Sequence, residues 1–143
     1  MYFTIKIVIK MSRKKARENT FSLVYQIEFN KLNEKEKLLE YYYNENNNSE
    51  EEKEYIKLVY EGILEKLEEI DNKILNNLKN WKLSRLSKVD LAILRLAIYE
   101  ILYIDDLSDK ISANEAVELA KMYGDDNSPK FVNGVIAKII EEK

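Results

Sequence analysis

The residues 89–104 read VDLAILRLAIYEILYI, an apolar run that only Asp90, Arg95 and Glu100 interrupt. At roughly 100° per residue, their five-residue spacing scatters them around a helix and leaves no polar stripe for water. The stretch predicts a central, buried helix, and Ser87 with Asp90 opens it in the pattern of a capping box. It is too short and too often charged to span a bilayer, which takes roughly 20 mostly apolar residues. Arg95 and Glu100 on such a helix fit buried ion pairs or interface contacts better than an acid catalyst with its partner.

The neighbouring segments carry a helical period that can wall this helix in. Residues 12–31 predict a first helix, with Ala16, Thr20, Leu23, Val24 and Ile27 on one face. Residues 33–43 predict a short second helix, and the run NENNNSEEE a loop. Ser49 and Glu52 form a capping box for a third, in which Ile56, Val59, Tyr60, Ile63, Leu67 and Ile70 keep the period. Asp71 is expected to cap a fresh helix over 71–81 through Ile74, Leu75 and Leu78, after which Trp81, Leu83 and Leu86 carry apolar bulk into the central helix. Ser112 with Glu115 is expected to open a helix over 113–122 that Gly124 ends. Ser128 and Pro129 supply an N-cap and an N1 proline for the last helix. Gly134 inside it costs roughly 1 kcal/mol against Ala, which predicts a close packing partner. Residues 1–10 alternate instead with a strand period, Phe3, Ile5, Ile7 and Ile9 on one side, and a lone strand has nothing to pair with. Residues 1–11 are therefore expected to be a flexible extension, with Met11 an alternative start, and 12–143 one domain.

Composition sharpens this all-α reading of about seven helices. Three Gly and one Pro in 143 residues disfavour a sheet-rich fold, and the length suits a single core. There is no Cys and no His, which removes thiolate nucleophiles, thiolate metal sites, the usual general base and the usual zinc ligand. No phosphate loop, dinucleotide fingerprint or nucleophile elbow can be built from three glycines. The expectation is a protein with no catalytic residues, no cofactor and no metal. No signal peptide or membrane span is visible, which places the chain in the cytoplasm. The run of Asp125, Asp126, Asn127 and Ser128 lacks the alternating ligand spacing of a calcium loop and fits capping better.

Charge supplies the first functional signal. Residues 1–17 hold six Lys and Arg and no acid, leaving the rest with 17 basic against 26 acidic residues, a net of −9. The cluster Arg13, Lys14, Lys15 and Arg17 sits where cations oppose the helix dipole, so local stability does not account for it. A solvated helix end is the plain reading, and a polyanion contact the functional one. A second signal is Lys130 with Phe131 at the start of the last helix, where exposed N–H groups and the lysine can meet a phosphate and the ring a base. The plain reading of that phenylalanine is a hydrophobic staple.

Taken together, SRKKARENTFSLVYQ, VDLAILRLAIYEILY and ISANEAVELAKMYGDDNSPKFVNGVIAKI resemble the NusB family of bacterial transcription antitermination factors over residues 12–140. The resemblance implies two small helical bundles packed across each other. It also implies binding of the single-stranded boxA element of ribosomal RNA leader transcripts together with NusE, a small-subunit ribosomal protein, and tethering to the elongating RNA polymerase in an antitermination complex. Residue by residue it places RNA contacts on Arg13, Lys14, Lys15, Arg17, Lys130 and Phe131, and NusE contacts on Tyr25 and Asp90. Two family arginines are lysines here, which keeps charge and loses the planar fork. Tyr25 also fits a core-edge aromatic and Asp90 a cap. Some family members self-associate through the RNA-binding face, so a homo-oligomer stays open. The alternatives are a protein-interaction module of the same fold without RNA binding, and a NusB-like domain of the kind that precedes the catalytic portion of rRNA methyltransferases, for which these residues leave no room.

Overall fold

A computed structural model of the chain describes residues 13–29, 35–45, 49–78 and 83–143. Ser12, Trp81 and the expected extension at 1–11 lie outside the described residues. The described residues form seven α-helices: α1 (Arg13–Tyr25), α2 (Lys35–Glu45), α3 (Glu50–Glu65), α4 (Leu67–Asn76), α5 (Lys88–Tyr103), α6 (Asp109–Tyr123) and α7 (Ser128–Glu142). Single 3-10 turns at Gln26–Glu28 and Leu83–Arg85 complete them. None of the described helices is long and apolar enough to cross a membrane.

α5 is the axis of the molecule. Every residue from Asp90 to Ile101 is buried, and α1, α3, α4, α6 and α7 all pack against it. α1 and α3 also pack on each other, as do α6 and α7, so two helical groups share one central helix. The predicted stripes supply the contacts: Ala16, Thr20, Leu23 and Val24 from α1, and Ile56, Val59, Tyr60 and Ile63 from α3, are all buried.

Capping follows the predicted chemistry at two helices and departs from it at three. Ser49 and Glu52 form a full capping box on α3, while on α5 only half of the expected box forms, Ser87 Oγ accepting the Asp90 N–H at 3.0 Å with no return bond from the Asp90 carboxylate. Asp71 is no cap. The chain breaks at Lys66 instead, and Asp71 lies inside α4, where its carboxylate accepts from Arg95 Nε and Nη2, both at 2.8 Å. Arg95 also reaches Glu28 at 3.2 Å. Burial alone would raise the Glu28 pKa, but Arg95 and Lys88 outweigh it and hold the carboxyl below its ordinary value. Ser112 likewise lies inside its helix, which starts four residues earlier than expected behind Ser108, and Ser112 is buried. Ser128 is the first residue of α7 and not its cap, because Asp125 holds that end. Asp125 Oδ1 accepts the N–H groups of Asn127 at 2.8 Å and Ser128 at 3.1 Å.

The glycines separate by space. Gly124 ends α6 with φ −92°, which any residue adopts, but a Cβ there would lie 2.5 Å from Ser128 Oγ. Gly62 faces Tyr99, whose hydroxyl would stand 2.0 Å from an added Cβ. Gly134, expected to be closely packed, has nothing within 4 Å of that position.

These two helical glycines should respond to alanine in opposite senses. Gly134→Ala is expected to raise stability by up to about 1 kcal/mol through helix propensity. Gly62→Ala should lower it by about 1–3 kcal/mol through overpacking against Tyr99. Urea denaturation of both variants checks the pair.

Candidate nucleic-acid interface

The basic first turns of α1 are divided by the helical period. Arg13 opens the helix, and Lys14 and Lys15 are exposed. Arg17 lies three residues before Thr20 and seven before Val24, on the buried stripe, and is only 1% exposed. Its Nε donates to Glu100 Oε2 at 3.0 Å and Oε1 at 3.2 Å, and its Nη1 stands 3.9 Å from Glu115 of α6. Tyr55 of α3 donates a short hydrogen bond to the same Glu100 carboxylate. Burial alone would lower the Arg17 pKa, and Tyr55, Glu100 and Glu115 together more than reverse that. The direct RNA contact expected of Arg17 does not fit this geometry. Its guanidinium is turned inward, where it ties α1 to α5.

At the other end of the sequence, the N-terminus of α7 presents Lys130, exposed, and Phe131, half-buried. The loop held by Asp125 and Ser128 sets where they emerge. Two open clefts meet here, because Phe131 and Asn127 line both. The first, of about 450 Å³, is bounded by Asn77, Leu78, Lys130, Gly134 and Lys138. Lys130, Gly134 and Lys138 follow at i, i+4 and i+8, so they share one helix face, and the bare glycine leaves the floor between two lysines open. Lys138 was not anticipated from the sequence, although that spacing was there to be read. The second cleft, of about 470 Å³, adds Arg85, Ser87, Asp90 and Asp125. Lys130, Lys138 and Arg85 make no ion pair among the described residues.

Tyr25 stands apart from this pair of clefts. It lines a third, of about 400 Å³, with Phe21, Tyr42, Val89 and Tyr123. Its ring lies 5.2 Å from that of Phe29, and Phe21 stacks on Tyr123 at 5.1 Å. Phe29 is 58% exposed and Tyr123 46%, so the patch is an open aromatic surface. The two expected partner contacts thus fall in different places, Tyr25 on this aromatic patch and Asp90 beside Phe131. Among the described residues no group of His, Cys, Asp and Glu is arranged to hold a metal.

An all-helical body that offers cationic and aromatic clefts has the build of a binding protein. Residues 14–141 match the model of the NusB family. The transcription antitermination protein NusB of Clostridium acetobutylicum is 47% identical over 136 residues, covering 93% of this chain and all of that one. The solved NusB of T. maritima superposes with a TM-score of 0.86 at 39% identity, covering 93% of each chain. A chain of the crystal structure of antitermination factors NusB and NusE in complex with dsRNA matches with a TM-score of 0.80 at 28% identity, covering 92% of this chain and 97% of that one. The chain belongs to the NusB family, whose antitermination factors are regulators of transcription and not enzymes.

The central polar network sets an alkaline limit on the fold. Burial, and then the Glu100 carboxylate, push the Tyr55 phenol well above its ordinary value, and burial with the Glu69 hydrogen bond raises Tyr103 to about 12. A phenol whose pKa is raised on folding contributes fully below its unfolded pKa, about 10, and loses that contribution as pH climbs through the folded value. The urea midpoint is therefore expected to hold from neutrality to about pH 9 and to fall above about pH 10. In Tyr55→Phe the alkaline fall should be shallower, as a midpoint-against-pH series would show.

Proposed function

We propose that the chain binds the single-stranded boxA element of ribosomal RNA leader transcripts together with NusE, and so tethers the nascent transcript to the elongating RNA polymerase. The observation that carries this is the cleft that Phe131 lines, where a half-buried ring shares the wall with Lys130 and Lys138, which form no ion pair among the described residues. Single-stranded RNA offers unstacked bases to an aromatic face and phosphates to cations, which is the chemistry this cleft presents. Lys14 and Lys15, with Arg13 before them, supply a second cationic contact, oriented from inside by Arg17. Similarity to a solved NusB and NusE complex with RNA supports the same reading.

NusE is assigned to the open aromatic patch around Tyr25. Exposed aromatics clustered around a cleft suit a protein anchor, and the acidic body favours a basic ribosomal partner over long range. The mechanism is assembly. RNA and protein faces lie on one rigid helical body, so binding either one restricts where the other is held.

Binding of a labelled boxA-type RNA and a scrambled control, with and without NusE and at several salt concentrations, tests this reading. Preference for boxA that tightens with NusE is expected, with a log–log salt slope of roughly −2 to −4 for three to five phosphate contacts. Phe131→Ala should weaken binding by about 1–3 kcal/mol, and Lys130→Ala should make the slope shallower by about 1. Tyr25→Ala should abolish the gain from NusE and leave binding to RNA alone unchanged. Equal, salt-insensitive binding to both RNAs would overturn the RNA reading in favour of a protein-interaction module.

A further inference from the structure

We propose that Gly134 is kept bare for RNA: a strand with a base stacked on Phe131 crosses α7 at this glycine and lays a further phosphate on Lys138. This rests on the RNA-binding reading above and adds to it the path of the strand and the two residues that hold it there.

The starting point is a glycine without a local reason. Gly134 lies inside α7, a position where glycine lowers helix stability against alanine. A left-handed backbone or a close packing partner would account for it. Its backbone is helical, and an added Cβ would meet nothing within 4 Å, so neither applies. A Cβ would instead rise into the cleft, because Gly134 is exposed there and lines it. Bare backbone at such a place lets a ligand approach the helix more closely than any side chain would allow.

The residues around it indicate which ligand fits. Lys130 and Lys138 stand on the same helix face about 12 Å apart along the axis, with the glycine midway between them. Both are exposed and neither forms an ion pair among the described residues, although the chain beyond residue 17 holds 26 acidic residues against 17 basic ones. Glu142, four residues after Lys138 and the natural partner for it, is turned to α4 instead, where Asn77 Nδ2 reaches it at 3.5 Å. Leu78 and Val135 complete a partly apolar floor, and Phe131 flanks it beside Lys130. Spaced cations with a flat ring and an open floor between them match a strand that alternates phosphates with bases. An acidic peptide would use the lysines and leave the ring without a part. Lys130 and Lys138 are thereby assigned to different phosphates of one strand running along α7.

The test uses the full chain and a boxA-type RNA whose phosphates are replaced one at a time by neutral methylphosphonates, with a scrambled RNA as control. Among the linkages that matter to the wild type, one should lose its effect in Lys138→Ala and a different one in Lys130→Ala, each read as a double-mutant cycle. Lys138→Ala should also make the salt slope shallower by about 1. Lys57→Ala, which removes an exposed lysine of α3 that lines none of these clefts, should leave the slope unchanged. Gly134→Leu should bind the RNA about fivefold more weakly or worse while its urea midpoint is no lower than that of the wild type, with Gly134→Ala in between. The proposal is overturned, and the RNA reading stands, if boxA is still preferred but Gly134→Leu binds it as tightly as the wild type, if Lys138→Ala keeps every linkage effect, or if Lys57→Ala flattens the slope as much. It is overturned together with the RNA reading if the wild type shows no preference for boxA. It is also overturned if Gly134→Leu loses only the gain from NusE, which would assign the cleft to the protein. Should Gly134→Leu fail to fold, Gly134→Ala and the lysine series decide.

Discussion

A carboxylate sealed in the middle of a helical core, Glu100, is the constraint on which much of this structure depends. Moving such a group out of water costs several kcal/mol, and the cost is offset only if charge and hydrogen bonds are supplied from nearby. Arg17 and Tyr55 supply them, from α1 and α3 respectively. Three helices are thereby held in register by one carboxylate, and Glu115 brings in α6 as the fourth. Apolar stripes alone would tolerate sliding and rotation among these helices. A buried hydrogen-bonded ion pair does not, because a small displacement leaves a charge without its partner.

The same logic repeats along α5. Its three buried charged residues are spaced so that each leaves the helix in a different direction, and each is used differently. Glu100 ties the core together. Arg95 pairs with Asp71 of α4 and with Glu28 in the turn after α1. Asp90 lines a cleft, and its buried Oδ1 has no partner among the described residues. A helix buried along most of its length thus carries two internal fastenings and one carboxylate without a partner among the described residues. The basic first turns of α1 and the α7 N-terminus both depend on α5, although α1 packs chiefly on α3 and α5 while α7 packs on α5 and α6.

The elements that the sequence made legible are those where one physical effect dominates. The burial of α5 followed from the near absence of polar residues, and the box of Ser49 and Glu52 from a spacing with a single use. Asp71 and Ser112 were misread because each is also a common capping residue, and only tertiary neighbours reveal that one pairs with Arg95 and the other is buried inside α6. Gly134 was misread because a helical glycine can mark either close packing or open space. At the candidate interface, Lys130 and Phe131 share a cleft as their adjacency suggested, while Lys138 joins them through a periodicity that crosses two helical turns. Arg17 was grouped with its sequence neighbours by charge, although its place relative to Thr20 and Val24 put it on the inner face.

That division within the basic cluster bears on how the segment tolerates natural variation. At Lys14 and Lys15 the side chains are solvated, so exchange between lysine and arginine preserves most of what a phosphate would feel. Position 17 obeys another rule. A guanidinium delocalises its charge and is weakly hydrated, while an ammonium of the same charge clings to water that this site excludes. What looks like a single patch of interchangeable positive charges is therefore two populations, one exposed to solvent and one held by the geometry of its burial.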